Sequence, residues 1–207
     1  MRTKLTLLLL LSILCSCTNA QQIQKADFNF KVYASPDVLN TKKDSVIAFT
    51  NLMLDKKFSE AEKIYPEMFK IDVSVYMNEG PGYEPYLGYL GEFVIDYDNT
   101  YSNLALATFL EQKYNALDNV YDMLLRASLN MDPSNVAAMF LLAKLRYEHD
   151  ITDDAYFLVQ HMMKLEPENK KISQLHTWFK NNHAPLGNNL PSLKEFVEQE
   201  VYYRELD

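Results

Sequence analysis

Few residues of this chain combine the types and spacings that chemistry requires. Its four histidines are His149, His161, His176 and His183. A metal site built on one helix needs ligands a turn apart, so that both face the ion. None of the four has such an i+4 partner, and their neighbours place them at turns or helix exteriors, as solvated or locally bonded side chains. Asp96-Tyr97-Asp98-Asn99 sketches an acidic cation loop, but lacks the glycine at its sixth position and the glutamate at its twelfth. No glycine-rich phosphate loop follows a strand, and neither GxSxG nor HExxH occurs. Spacing alone singles out no acid–base pair among 28 acidic residues. The expectation is a non-enzyme with no metal and no cofactor.

The remaining reactive groups are Cys15 and Cys17. Arg2 and Lys4 precede an apolar run from Leu5 to Leu14. A membrane-spanning helix needs roughly 20 apolar residues, so residues 1–17 read as an export signal and not as a span. Leu14-Cys15-Ser16-Cys17 resembles a bacterial lipobox, with Leu at −3, a small Ser at −1, and Cys17 as the residue that receives lipid. The resemblance implies a lipid-anchored protein of the bacterial cell envelope, facing the periplasm. The alternative is cleavage after Thr18-Asn19-Ala20, giving a secreted or soluble periplasmic protein. Under either reading the folded body keeps no cysteine, and must hold by packing without disulfide or thiolate chemistry.

The elements that carry these residues follow from composition and period. A chain of 207 residues, 48% of them hydrophobic, can bury a sizeable core in one domain. Five Gly and eight Pro are too few for many short turn-linked strands. The formal charge is −8; without Arg2 and Lys4, 18 basic residues face 28 acidic ones, near −10. That balance repels nucleic acid and anionic lipid, so membrane contact is expected through the anchor alone.

Residues 18–40 lack periodicity and read as a flexible tether. Helical patterns dominate residues 41–207, and the most informative feature is an internal repeat. Asn130-Met131-Asp132-Pro133-Ser134-Asn135 recurs as Lys164-Leu165-Glu166-Pro167-Glu168-Asn169, with the prolines 34 residues apart. Proline ends one helix and suits entry to the next, where Asn or Ser can cap free amides. In the second copy Ala155, Leu158, Val159, Met162 and Met163 form an amphipathic stripe. An earlier copy, Ala61, Ile64, Tyr65, Met68 and Phe69, has the same spacing, with Ser59 and Glu62 as an expected capping box and Val46 to Leu54 as its partner helix. Pro66 predicts a kink or early stop there.

These residues resemble the tetratricopeptide repeat (TPR), clearly over 103–169 and in degenerate form over 42–70. The usual first-helix Trp and Gly are missing, and Tyr121 stands where a small crossing residue is usual. The resemblance implies an all-α fold of antiparallel helix-turn-helix units, a TPR-like α-solenoid. Residues 41–73 form the degenerate repeat, 102–169 two clear repeats, and 170–207 capping helices. Ile172, Leu175, Trp178 and Phe179 give the first cap an apolar face, with Lys170, Lys171, Lys180 and Asn181 outside. A last helix is expected to open at Ser192, with Glu195 completing a capping box, and to run through Phe196 and Val197 towards Tyr203.

Residues 74–101 interrupt the pattern with four of the five glycines and six tyrosines. Tyr83, Tyr86 and Tyr89 either form an aromatic recognition surface over 76–101 for ligand or glycan, or cover an apolar flank. The repeat resemblance itself implies a non-catalytic scaffold or adaptor that binds a protein or peptide. Its groove positions fall on Glu111, Tyr114, Asn115, Phe140, Lys144, Tyr147 and Glu148, of which Phe140 and the two tyrosines are equally readable as core. The set lacks the pattern that clamps a C-terminal carboxylate, and suits a neutral or basic segment.

Overall fold

The computed structural model describes residues 25–33, 44–64, 66, 69, 100–114, 118–201 and 203. The leader with Cys17, the Tyr/Gly-rich stretch with Tyr83, Tyr86 and Tyr89, and Asn115 lie outside them. The described residues are mostly helical and contain no strand. The helices are α1 (Asp44–Leu54), α2 (Phe58–Ile64), α3 (Thr100–Tyr114), α4 (Asp118–Met131), α5 (Val136–Glu148), α6 (Thr152–Leu165), α7 (Lys170–Asn182) and α8 (Leu193–Glu198). From α3 to α7 each helix packs on the next; α1 packs on α2 and α3, and α8 returns to α4.

The apolar stripes read from the sequence are the buried ones. Ala155, Leu158, Val159 and Met162 of α6 are fully buried, as are Ile172 and Phe179 of α7. In α3 the buried set is Leu104, Ala105, Ala107, Phe109 and Leu110, with Thr108 among them. Its hydroxyl donates back to the carbonyls of Leu104 and Ala105, which satisfies a polar group that burial would otherwise penalise. Phe69 joins the first pair of helices to α3 through edge contacts with Phe49 and Phe109. Ala61 and Ala155 are both buried without residual exposure. Ala155→Trp is therefore expected to lower stability by about 1–3 kcal/mol or more through overpacking, read from urea unfolding.

The turns show why the helices begin and end where they do. At Pro133, the Asp132 carboxylate accepts from the Ser134 amide and hydroxyl, and Asn135 caps α5 by accepting from the Ala138 amide. At Pro167, Asn169 caps α7 by accepting from the Lys171 and Ile172 amides, while its own amide group donates to Glu166. The two acidic-Pro-x-Asn elements thus build the same junction. The opposite ends match as well. Lys56 and Asp150 adopt left-handed backbone, with φ of 58° and 60°. The Lys57 amide bonds the Leu52 carbonyl, and the Ile151 amide bonds the Arg146 carbonyl, which closes α1 and α5 in the same Schellman turn.

Three expectations change. The capping box at Ser59 does not form: α2 starts at Phe58 because the Lys57 carbonyl already accepts from Ala61. Ser192 and Glu195 do form theirs, but α8 stops at Glu198, and Tyr203 is buried as non-helical chain. Residues 25–33, expected within a tether, pack against the helices, as described below.

Tyr203 is drawn from the helix by a buried polar network. Asp122 of α4 and Arg146 of α5 have side chains 1% exposed and pair at 2.6 Å. The second Asp122 oxygen receives Arg126 Nε at 2.6 Å, and the Tyr203 hydroxyl donates to Asp122 Oδ2 at 2.7 Å. Arg126 also donates to the Val197 carbonyl, and Asn119 accepts the Tyr203 amide. Arg146 lies over the Tyr203 ring at 5.4 Å, a cation–π contact. Burial, and then the Asp122 carboxylate, push the Tyr203 hydroxyl far up, so it stays a donor. Asp154 of α6 stands 3.7 Å from Arg146; burial raises its carboxyl, and the guanidinium opposes that shift. This network clamps α4, α5 and the C-terminal segment on the side of α5 away from Phe140 and Tyr147.

Candidate partner-binding face

One side of α5 carries Phe140, Lys144 and Tyr147 at i, i+4 and i+7, one face of the helix. Beside it, α7 presents Lys171, Gln174, Leu175 and Trp178 at the same kind of spacing. Between them the aromatic side chains interlock. Tyr147 meets Trp178 and Phe179 edge-on, each at 5.8 Å, and Tyr156 of α6 stacks on Phe179 from below at 5.3 Å. Edge and offset contacts of this kind are the favoured aromatic geometries, and they fix the floor of the face.

Residues 25–33 lie across this floor as non-helical chain with a bend at Phe30. Ala26, Phe28 and Val32 are buried and Phe30 is half-buried, while Lys25, Asp27, Asn29, Lys31 and Tyr33 point outward. Burial thus alternates with a period of two along the segment. The Phe28 ring sits 5.6 Å from Phe140, 5.3 Å from Tyr147 and 6.3 Å from Phe179. Phe30 packs on the outer side of Phe140 at 4.6 Å. The Ala26 amide donates to the Tyr147 hydroxyl at 3.0 Å, bringing together groups 121 residues apart. A cleft of about 110 Å³ remains where Lys25, Asp27 and Phe30 meet Lys171, Gln174, Leu175 and Trp178.

At its far end the segment reaches the turn after α1. The Lys31 ammonium pairs with Asp55, and the Tyr33 hydroxyl donates to the same carboxylate at 3.1 Å. Lys31 and the Tyr33 hydroxyl lower the Asp55 carboxyl, and that carboxylate raises the Lys31 ammonium. Lys57 adds a longer contact at 3.8 Å.

Of the expected groove positions, Phe140 and Tyr147 meet in this site, as both floor and core. Lys144 and Glu148 form an exposed pair at 3.8 Å. Glu111 of α3 lies in their electrostatic reach: burial raises its carboxyl, Lys144 and Lys56 oppose this, and Glu148 adds to it. The Tyr121 hydroxyl is raised by burial and then by Glu111 and Glu148. Tyr114 falls in α3 without a described side chain. Sequence reasoning missed Ala26, Phe28, Phe30 and Val32, although their alternation was visible; Trp178 and Phe179, expected on a capping helix, lie on α7 and line this face.

The histidines are locally engaged. His149 contacts Asp118 at 2.6 Å and the Tyr203 ring, His183 contacts Asp153 at 3.3 Å, and His161 contacts the Phe157 carbonyl. Burial lowers His176. Among the described residues no three potential ligands converge as a cation site. No helix among them is long and apolar enough to cross a membrane. In comparisons with known proteins, no family model, no curated protein and no solved structure matches this chain.

Proposed function

We propose that this chain is a non-catalytic, TPR-like scaffold, lipid-anchored through Cys17 at the periplasmic side of the bacterial envelope, that binds an extended polypeptide segment on the α5–α7 face. The observation that carries the reading is the seating of residues 25–33. Phe28 and Phe30 seat against the rings of this face while Ala26 and Val32 are buried beside them, and alternate anchoring of this kind is how groove-binding peptides achieve both affinity and register. The equivalent junctions at Pro133 and Pro167, and the matching Schellman turns, support repeated helical units. The lipobox resemblance at Leu14-Cys15-Ser16-Cys17 supports the anchor.

Photo-crosslinking in the source cells tests the reading. A photoreactive side chain at Glu148, beside the face, should join the full chain to a defined polypeptide; the same group at Lys194 on α8 should not. Equal adducts from both positions, or none from Glu148, would contradict it.

A further inference from the structure

The partner face is already occupied, by the chain's own residues 25–33, and the way they are held suits release. Apart from the Ala26 amide on Tyr147, the contacts with the helices described above are side-chain contacts: Phe28 and Phe30 in the aromatic floor, Lys31 and Tyr33 on Asp55. The Lys31 side chain is 58% exposed, so its pairing with Asp55 is screened by salt and holds the segment without locking it. The Asn29 amide donates to the exposed Asp27 carboxylate within the segment and not to the face. Only residues 34–43 separate the segment from α1, so the covalent link keeps its local concentration high without demanding strong contacts.

We infer that residues 25–33 are a built-in competitor for this face, and that the partner is an extended segment of the same chemistry. This rests on the reading of the face as a partner site. The partner carries a small residue, two aromatics and an aliphatic at alternate positions, with a basic residue after the second aromatic. The aromatic positions are set by the slots at Phe140, Tyr147 and Phe179. The basic position is set by Asp55, and it agrees with a chain of net charge −8 that disfavours acidic ligands. Binding displaces residues 25–33 from the face.

The test uses the full chain and a labelled peptide of residues 24–34, followed by fluorescence anisotropy. Phe28→Ala with Phe30→Ala empties the slots in cis and is expected to bind the peptide about 100-fold tighter than the unaltered chain, the scale on which an intramolecular competitor acts. Lys31→Glu with Tyr33→Ala, which alters only the exposed Asp55 contacts, should fall between. A peptide with both phenylalanines replaced by alanine should bind none of them. Equal peptide affinity for all three chains, or no binding to a variant with unchanged circular dichroism, overturns the inference. If the phenylalanine variant does not fold, the Lys31/Tyr33 variant decides by the same criterion. Crosslinking from Glu148 separates the two readings. An adduct that rises in the variants supports displacement, and one equal in all chains overturns the competitor but keeps the partner face. Absence of any adduct removes the partner reading, and the inference with it.

Discussion

Asp122→Ala is expected to lower the free energy of unfolding by about 3–5 kcal/mol, because removing one member of a buried ion pair strands the other charge. Arg146 has a side chain 1% exposed, and its Nε and Nη1 have no hydrogen-bond partner among the described residues. Without Asp122 its nearest anion is Asp154, 3.7 Å away and itself disfavoured as a carboxylate by burial. Arg126 and the Tyr203 hydroxyl lose the same acceptor, so the C-terminal segment should loosen along with α5. Replacing both members with apolar residues, Asp122→Leu and Arg146→Met, should recover part of the loss, since a well-packed apolar pair often substitutes for a buried ion pair. Urea unfolding of the two single variants and the double variant reads this coupling directly. A single Asp122→Ala variant as stable as the parent would mean that Tyr203 and Arg146 do not converge on that carboxylate.

The second large effect is at Phe179. Its ring is fully buried and touches Phe28, Tyr147, Tyr156, Trp178 and His183. Phe179→Ala should cost about 3–5 kcal/mol, as the lost transfer energy of the ring adds to the cavity it leaves. Phe179→Leu, which refills part of that space, should cost less. The position also separates packing from occupancy of the face. With the floor under Phe28 gone, trypsin should cut after Lys31 faster than in the parent, even in conditions where circular dichroism shows both chains folded. Equal cleavage rates would mean that Phe28 does not depend on this floor.

Local chemistry was legible in the sequence; long-range pairing was not. The acidic-Pro-x-Asn elements specified their junctions because proline, an aspartate or glutamate and a capping asparagine act within a few residues of each other. The stripe on α6 and the box at Ser192 were readable for the same reason. The Ser59 box failed because a backbone carbonyl, which every residue carries, served one position earlier. The network around Asp122 joins positions up to 84 residues apart, and nothing marks one carboxylate among 28 as the one that Arg146 and Tyr203 share. Ala26-x-Phe28-x-Phe30-x-Val32 did carry a period of two. Four apolar positions beside a leader, with no strand to pair with, read as tether because their partners lie on α5 and α7. Of the expected groove residues, the aromatic ones proved hardest to assign, since Phe140 and Tyr147 are floor and core at once. The Tyr-rich stretch and Asn115 lie outside the described residues.

Residues 25–33 lie in the aromatic floor between α5 and α7. Nuclear Overhauser contacts in the full chain test this placement most directly. Cross-peaks between the Phe28 ring and the rings of Tyr147 and Phe179, with a protected Ala26 amide, are the predicted result. Random-coil shifts throughout 25–33, with no cross-peak from Phe28 to either ring, would contradict it.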